Sequence, residues 1–400
     1  MTARRRNPIA ALALVAAVPA LVLAGVWKLA NSQAGDATQG VAPSDSASSA
    51  AALDTPLLSV RRAPGTLARD VNVAAFTTAL QPLLDKVGGS SCVAVAVNGQ
   101  LVAAKNETVM VRPASTVKLL TARVALDVLG ADFTFTTTVT GDVGDGGVVA
   151  GDLYLVGGGD PLLASTWWEG PSANYPEFNH TSIEALAQSV VDAGVTTVTG
   201  GIVGDASRYD EEWYAPTWPQ DVRFSDGGPV SALLANDSRE SPTKSSNDPV
   251  VGAAQVLIDE LVARGVTVGG AASAGKAGSS KPVASINSIA LPGVIAEMLT
   301  TSDNNTAELV LKEIALHETG TGSREAGLGV VRDKLAEWGI PTDGLTLVDG
   351  SGLSTEDEMT CTTMLGVLEH GTVDDAVGAG MPVGGAAGGT LSDAFLDAPL

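Results

Sequence analysis

The stretch Val111 to Leu120, V-R-P-A-S-T-V-K-L-L, constrains this chain more than any other, because it sets Ser115 and Lys118 three positions apart at the start of a helix. Residues at i and i+3 share one helical face. Val117, Leu120 and Val124 give the helix an apolar stripe, and Gly130 offers a C-cap. Apolar neighbours carry the lysine inward, where burial weakens its preference for charge. A lysine so placed can make a nearby serine nucleophilic. Alone the pair is weak evidence, since Ser and Lys also share solvated helix surfaces, but a buried lysine without a task is costly.

A second element, Ser302-Asp303-Asn304, lies between two helical stretches, one from Leu291 and one over Thr306 to Leu316. Such residues cluster at helix N-caps for local reasons. Paired with the S-x-x-K motif and a Gly-rich span between them, they become more specific. They place a serine and an amide where both can face the first motif across a cleft.

Five segments then align in order: P-A-S-T-V-K-L-L-T-A, G-D-L-Y-L-V-G-G-G-D-P-L-L, G-P-V-S-A-L-L-A-N-D, S-D-N-N-T-A-E and V-D-G-S-G-L-S, within about Leu67 to Leu396. Together they resemble the penicillin-binding D-alanyl-D-alanine carboxypeptidase/endopeptidase family with an inserted domain after its first motif (peptidase S13, low-molecular-mass class C type). The resemblance implies an α+β fold: a transpeptidase/β-lactamase-like core, an antiparallel sheet flanked by helices, interrupted by an α+β insert. Residues 68–135 and 286–400 would form the core and 136–285 the insert. It implies Ser115 as the nucleophile that forms an acyl-enzyme, Lys118 as its base, Ser302 as a proton relay and Asn304 as a holder of the substrate amide. Peptidoglycan stem peptides would be substrates and β-lactams acylating mimics, with no cofactor. Two other readings share this fold, a non-catalytic wall-binding scaffold and a β-lactamase.

The family's third motif, Lys-[Thr/Ser]-Gly, has no match. His317-Glu-Thr-Gly320 has the wrong order, and Gly388-Gly-Thr390 belongs to the segment that comes shortly before that motif in the family. The expectation is a fragment lacking its last strands and final helix, and so impaired. Losing one oxyanion donor alone costs about 2.7–4 kcal/mol.

Arg4, Arg5 and Arg6 precede an apolar run from Pro8 to Trp27, about the length that spans a bilayer. Residues 1–30 thus read as an export segment with its start in the cytoplasm and the folded body outside. A poor cleavage site at Ser32-Gln33-Ala34 favours an uncleaved anchor over a signal peptide. Residues 31–67 read as a flexible tether. A net charge of −22 and no basic cluster argue against nucleic acid, and 45% hydrophobic content is that of a chain with real cores.

Periodicity predicts a helix over 71–87, a hairpin of Cys92 to Val97 and Leu101 to Ala104 about Asn98-Gly99, and helices at Ser182 to Ala193 and Pro249 to Arg264. It further predicts a strand at Leu345 to Val348 and a helix at Thr360 to Glu369. The D-G-S-G-L-S loop, Asp349 to Ser354, reads as a plain turn more than as a wall of the cleft. Cys92 and Cys361 can pair in an oxidising compartment or stay as separate buried thiols. His180, His317 and His370 are scattered, so no metal site is expected, and no phosphate-binding loop is present. Trp167, Trp168, Trp213 and Trp218 could contact glycan, but core packing is the commoner use of such residues.

Overall fold

The computed structural model describes residues 63–170 and 176–394. The expected anchor at Pro8 to Trp27 and most of the expected tether lie outside the described residues. Among the described residues no helix is long and apolar enough to cross a membrane. The compact unit Arg69–Leu400 contains the strands and helices that surround the predicted site residues.

Helix α1 (Ala63–Leu84) starts inside the stretch expected to be a tether. Pro64 in its first turn explains the earlier start, since proline suits that position. Strands β1 (Val93–Val97) and β2 (Gln100–Lys105) pair antiparallel with Val97 opposite Gln100. Asn98 and Gly99 both take positive φ, 53° and 74°, as a two-residue hairpin of this twist requires. A 3-10 turn (Ala114–Thr116) leads into α2 (Val117–Leu129), which Gly130 ends at φ 82°.

The expected insert is built on a five-stranded sheet. Its elements are β3 (Thr136–Thr140), β4 (Leu153–Val156), α3 (Ile183–Asp192), β5 (Ile202–Asp205), α4 (Pro249–Ala263), β6 (Ser273–Ala274) and β7 (Pro282–Asn287). The strand order is β6-β5-β4-β3-β7, parallel from β6 to β4 and antiparallel from β4 to β7. Alternation sends Leu153 and Leu155 inward against Ile183, Leu186, Leu257 and Leu261 of the two helices. Each helix starts on a side-chain cap: Ser182 accepts from the Ala185 N–H, and Asp248 from those of Val250 and Val251.

The chain then returns to helices: α5 (Leu291–Thr301), α6 (Asn304–Thr319), α7 (Arg324–Glu337), α8 (Cys361–Glu369) and α9 (Ala376–Gly380). α6 is buried on nearly every side and packs against α2, α5 and α7 around a core that includes Leu120, Val124, Met298, Val310, Ile314 and Leu335. Gly327 lets α7 close on α6, since a Cβ there would lie 2.5 Å from the Leu311 carbonyl oxygen. A further apolar cluster, with Trp218, Val230 and Leu234, joins the 209–234 segment to Leu309 of α6.

Residues 345–348 do not form the expected strand. Thr346 makes a single bridge to Glu358, and the Val348 N–H donates to the Asp357 carboxylate, which leaves no ladder to extend. Cys92 and Cys361 form a disulfide across 269 positions, tying the start of the hairpin to α8.

Candidate active site

Ser115 lies in the 3-10 turn and is exposed, while Lys118, one turn on, is 1% exposed. The Lys118 Nζ sits 3.1 Å from Ser115 Oγ and donates to Asn304 Oδ1 at 2.6 Å and to the Ser351 carbonyl at 2.8 Å. Two of the predicted partners, 186 positions apart, are thereby in direct contact. Ala114, beside the serine, takes a positive φ of 49°, a strained conformation that sites of chemistry often hold. Gly352 backs it so closely that a Cβ would fall 1.8 Å from the Ala114 carbonyl oxygen.

All three groups around Nζ are uncharged. Burial lowers Lys118 to about 8, against the pull of Asp303, Glu308 and Asp349 in the opposite direction. Such an amine gives up its proton near neutral pH and can take one from a hydroxyl at hydrogen-bond distance.

Ser302 and Asn304 come from the junction of α5 and α6. Ser302 caps α5 in the left-handed region, φ 61°, and Asp303 caps α6 by accepting from the Thr306 N–H. The back-to-back caps hold a tight bend that turns Asn304 toward Lys118. The Asn304 Nδ2 donates to the Asp226 carbonyl at 2.6 Å, so one amide donor is occupied by the 136–285 span. Ser302 lines a cavity of about 260 Å³ with Asp226, Asp237, Arg239 and Asn304. Among the hydrogen bonds of the described residues, none joins its hydroxyl to Ser115 or Lys118.

The loop Asp349 to Ser354 does more than turn the chain. Its Ser351 carbonyl is the third partner of Lys118, and its Gly350 carbonyl accepts from Thr121 Oγ1 at 2.8 Å. Asp349, fully buried, accepts four N–H donors: Ser351 at 3.2 Å, Gly352 at 2.6 Å, Ser354 at 2.7 Å and the Trp218 indole at 2.7 Å. Glu308 of α6 takes the Gly350 N–H and the Arg324 Nε, both at 2.8 Å. Burial, then the charge of Asp349, pushes Glu308 and Asp357 each up to about 8. Sequence reasoning missed this role because a backbone carbonyl leaves no residue-type signature. The signal it had was an aspartate followed by two glycines within four residues.

Among the described residues, the side chains that could jointly hold an ion are Glu177, Asp237 and Asp303, whose carboxylate oxygens lie within 4.8 Å of one another. Each already has a partner: Trp168 Nε1 and His180 for Glu177, Asn305 for Asp237, and the Thr306 N–H for Asp303. Burial and mutual repulsion raise Asp237 and Asp303 above the ordinary carboxylate range. Trp218 and Trp168 are buried, with their N–H groups on Asp349 and Glu177, so both serve packing; Trp167 and Trp213 are half-exposed. A groove of about 710 Å³ beside the disulfide includes Thr116 but neither Ser115 nor Lys118.

A family model described as the D-Ala-D-Ala carboxypeptidase 3 (S13) family matches residues 71–246 and 235–400. The chain is 29% identical to a carboxypeptidase of Mycobacterium tuberculosis, over 83% of this chain and 71% of that protein. It is 28% identical to a D-alanyl-D-alanine carboxypeptidase of an Actinomadura species, over 70% and 65%. With a Mycolicibacterium smegmatis carboxypeptidase, DacB, the identity is 30% over 72% and 62%, so the chain spans 62–71% of the lengths of these relatives. Its fold is like that of penicillin binding protein 4 from Haemophilus influenzae, with a TM-score of 0.64 and 20% identity over 79% of this chain and 83% of that one.

Proposed function

The chain belongs to the D-Ala-D-Ala carboxypeptidase S13 family, and on that footing we propose that it is a serine-type, metal-independent peptidase that cleaves the D-Ala-D-Ala bond of peptidoglycan stem peptides. One observation carries the reading: a buried lysine whose hydrogen-bond partners among the described residues are all uncharged, 3.1 Å from an exposed serine hydroxyl.

With Lys118 near 8, about a tenth of the molecules hold it neutral at pH 7. Ser115 Oγ attacks the carbonyl carbon of the scissile bond as its proton passes to Lys118 Nζ. The C–N bond of the tetrahedral intermediate then breaks, and the departing D-alanine nitrogen takes that proton, with the Ser302 hydroxyl as relay. Asn304 orients Lys118 through its carbonyl oxygen and offers its remaining N–H to the substrate amide. Water hydrolyses the Ser115 ester and restores the hydroxyl. A β-lactam is attacked in the same way, but its amine stays attached to the acyl group and blocks the water.

We place the folded unit outside the cytoplasmic membrane, tethered by Pro8 to Trp27. The Cys92–Cys361 bond suits that oxidising compartment. Labelled penicillin, added to the protein as its own cells make it, should form an adduct on the peptide that contains Ser115. Ser115→Ala at the same locus should abolish it. An adduct that survives Ser115→Ala, or no adduct at all, overturns the reading.

A further inference from the structure

The residues that hold Lys118 in place do not all come from its own part of the chain. Asp349 spends both carboxylate oxygens on four N–H groups, three from its own loop and the fourth from Trp218, which is 131 positions away. Trp218 is 2% exposed and packs with Val230 and Leu234 against Leu309 of α6. Arg324 stacks its guanidinium over the indole at 5.5 Å and gives its Nε to Glu308, which in turn holds the Gly350 N–H. The Ser351 carbonyl is thus fixed from three directions before it reaches Nζ.

We propose that Asp349 is a positioning residue: latched by the Trp218 indole N–H, it keeps the Ser351 carbonyl on Lys118, and so makes the 136–285 span part of the acylation machinery. This rests on the function proposed above. A carbonyl held at 2.8 Å limits the directions in which Nζ can point and so leaves its lone pair aimed at Ser115 Oγ. Without the latch the loop's Gly350 and Gly352 let it move, and the lysine loses one of three fixed partners. The charged groups felt by Lys118 are Asp303 at the cap of α6, Glu308 within α6 and Asp349 from the loop. Asp357 stands behind Asp349 and would take over part of its charge if that residue were neutralised.

Trp218→Phe is the informative variant, because it removes one N–H and leaves all four carboxylates. Stopped-flow acylation by a chromogenic cephalosporin, with the full-length protein, separates the binding constant from the acylation rate constant. The rate constant should fall about three- to tenfold with binding unchanged, and for Asp349→Asn by about tenfold or more. In Trp218→Phe the acid limb of the rate should also move to lower pH, since a lysine that loses a carbonyl acceptor gives up its proton more easily. A folded Trp218→Phe protein with the unaltered rate constant and midpoint overturns the proposal, as does a lowered melting temperature with both kinetic quantities unmoved. If Asp349→Asn does not fold, Trp218→Phe decides alone. Failure of the unsubstituted protein to acylate strikes the proposed function itself and is told apart by that control.

Discussion

Lys118 on α2 and Lys312 on α6 are both withdrawn from water, 1% and 0% exposed, yet their partners differ in charge. Lys312 donates to the Asp210 carboxylate at 2.6 Å and to the Glu212 carbonyl at 2.9 Å, and among the described residues no serine hydroxyl is its partner. Lys118 meets a hydroxyl, an amide oxygen and a carbonyl. Two equally buried lysines can therefore serve opposite ends: Lys312, on a carboxylate, pins the 210–212 segment to a helix, whereas Lys118, lowered by burial and set among neutral partners, can give up its proton.

Replacing each lysine in turn is the sharpest way to break that contrast. Lys118→Met should cut acylation of Ser115 by about 10³-fold, the scale of a lost general base, while the melting temperature holds or rises because an ammonium without a carboxylate leaves the interior. Lys312→Met should do the reverse in kind: unfolding in urea should show a loss of about 1–3 kcal/mol, with the pH midpoint of acylation in place. Equal loss of acylation in both would erase the distinction.

A smaller test separates global stability from protonation. Cys92→Ser should cost about 2–5 kcal/mol, since the bond closes a very long loop. It should leave the midpoint unmoved. If the midpoint shifts, Lys118 depends on the whole fold more than on its three partners.

The smallest effect is on the pH dependence of stability itself. Glu308 and Asp357 near 8 and Glu297 near 7, all raised chiefly by burial, bind protons in the folded state that the unfolded chain has released. Stability should thus fall as pH rises from about 5 toward 8. Lys118, lowered to about 8, acts the other way: between there and its ordinary 10.5 the folded state holds fewer protons, so stability should turn upward. Melting curves of Lys118→Met should lack part of that upturn.

What the sequence disclosed and what it hid divide along the same line. That Ser115, Lys118 and Asn304 would lie together was legible because side-chain types at fixed spacing mark such a group. The hairpin at Asn98-Gly99 and the helices started by Ser182 and Asp248 were legible for local reasons too. Ser351 was not, since its contribution is a carbonyl that any residue has. The strand expected at Leu345 to Val348 failed because the Val348 N–H is taken by the side chain of Asp357, a contact no periodicity announces. α7 went unforeseen because two glycines, Gly327 and Gly329, weaken its helical signal, although Gly327 is what allows α6 and α7 to approach. Trp218 suited a core more than a sugar, and its burial and its bond to Asp349 agree with that reading.

The central claim, that Lys118 is a base in waiting, is tested most directly by titrating it. In protein carrying carbon-13 in its lysine side chains, the Cε resonance that vanishes in Lys118→Met should titrate with a midpoint near 8. A Lys118 resonance that stays in its protonated position up to about pH 10, where an unperturbed lysine begins to titrate, would contradict it.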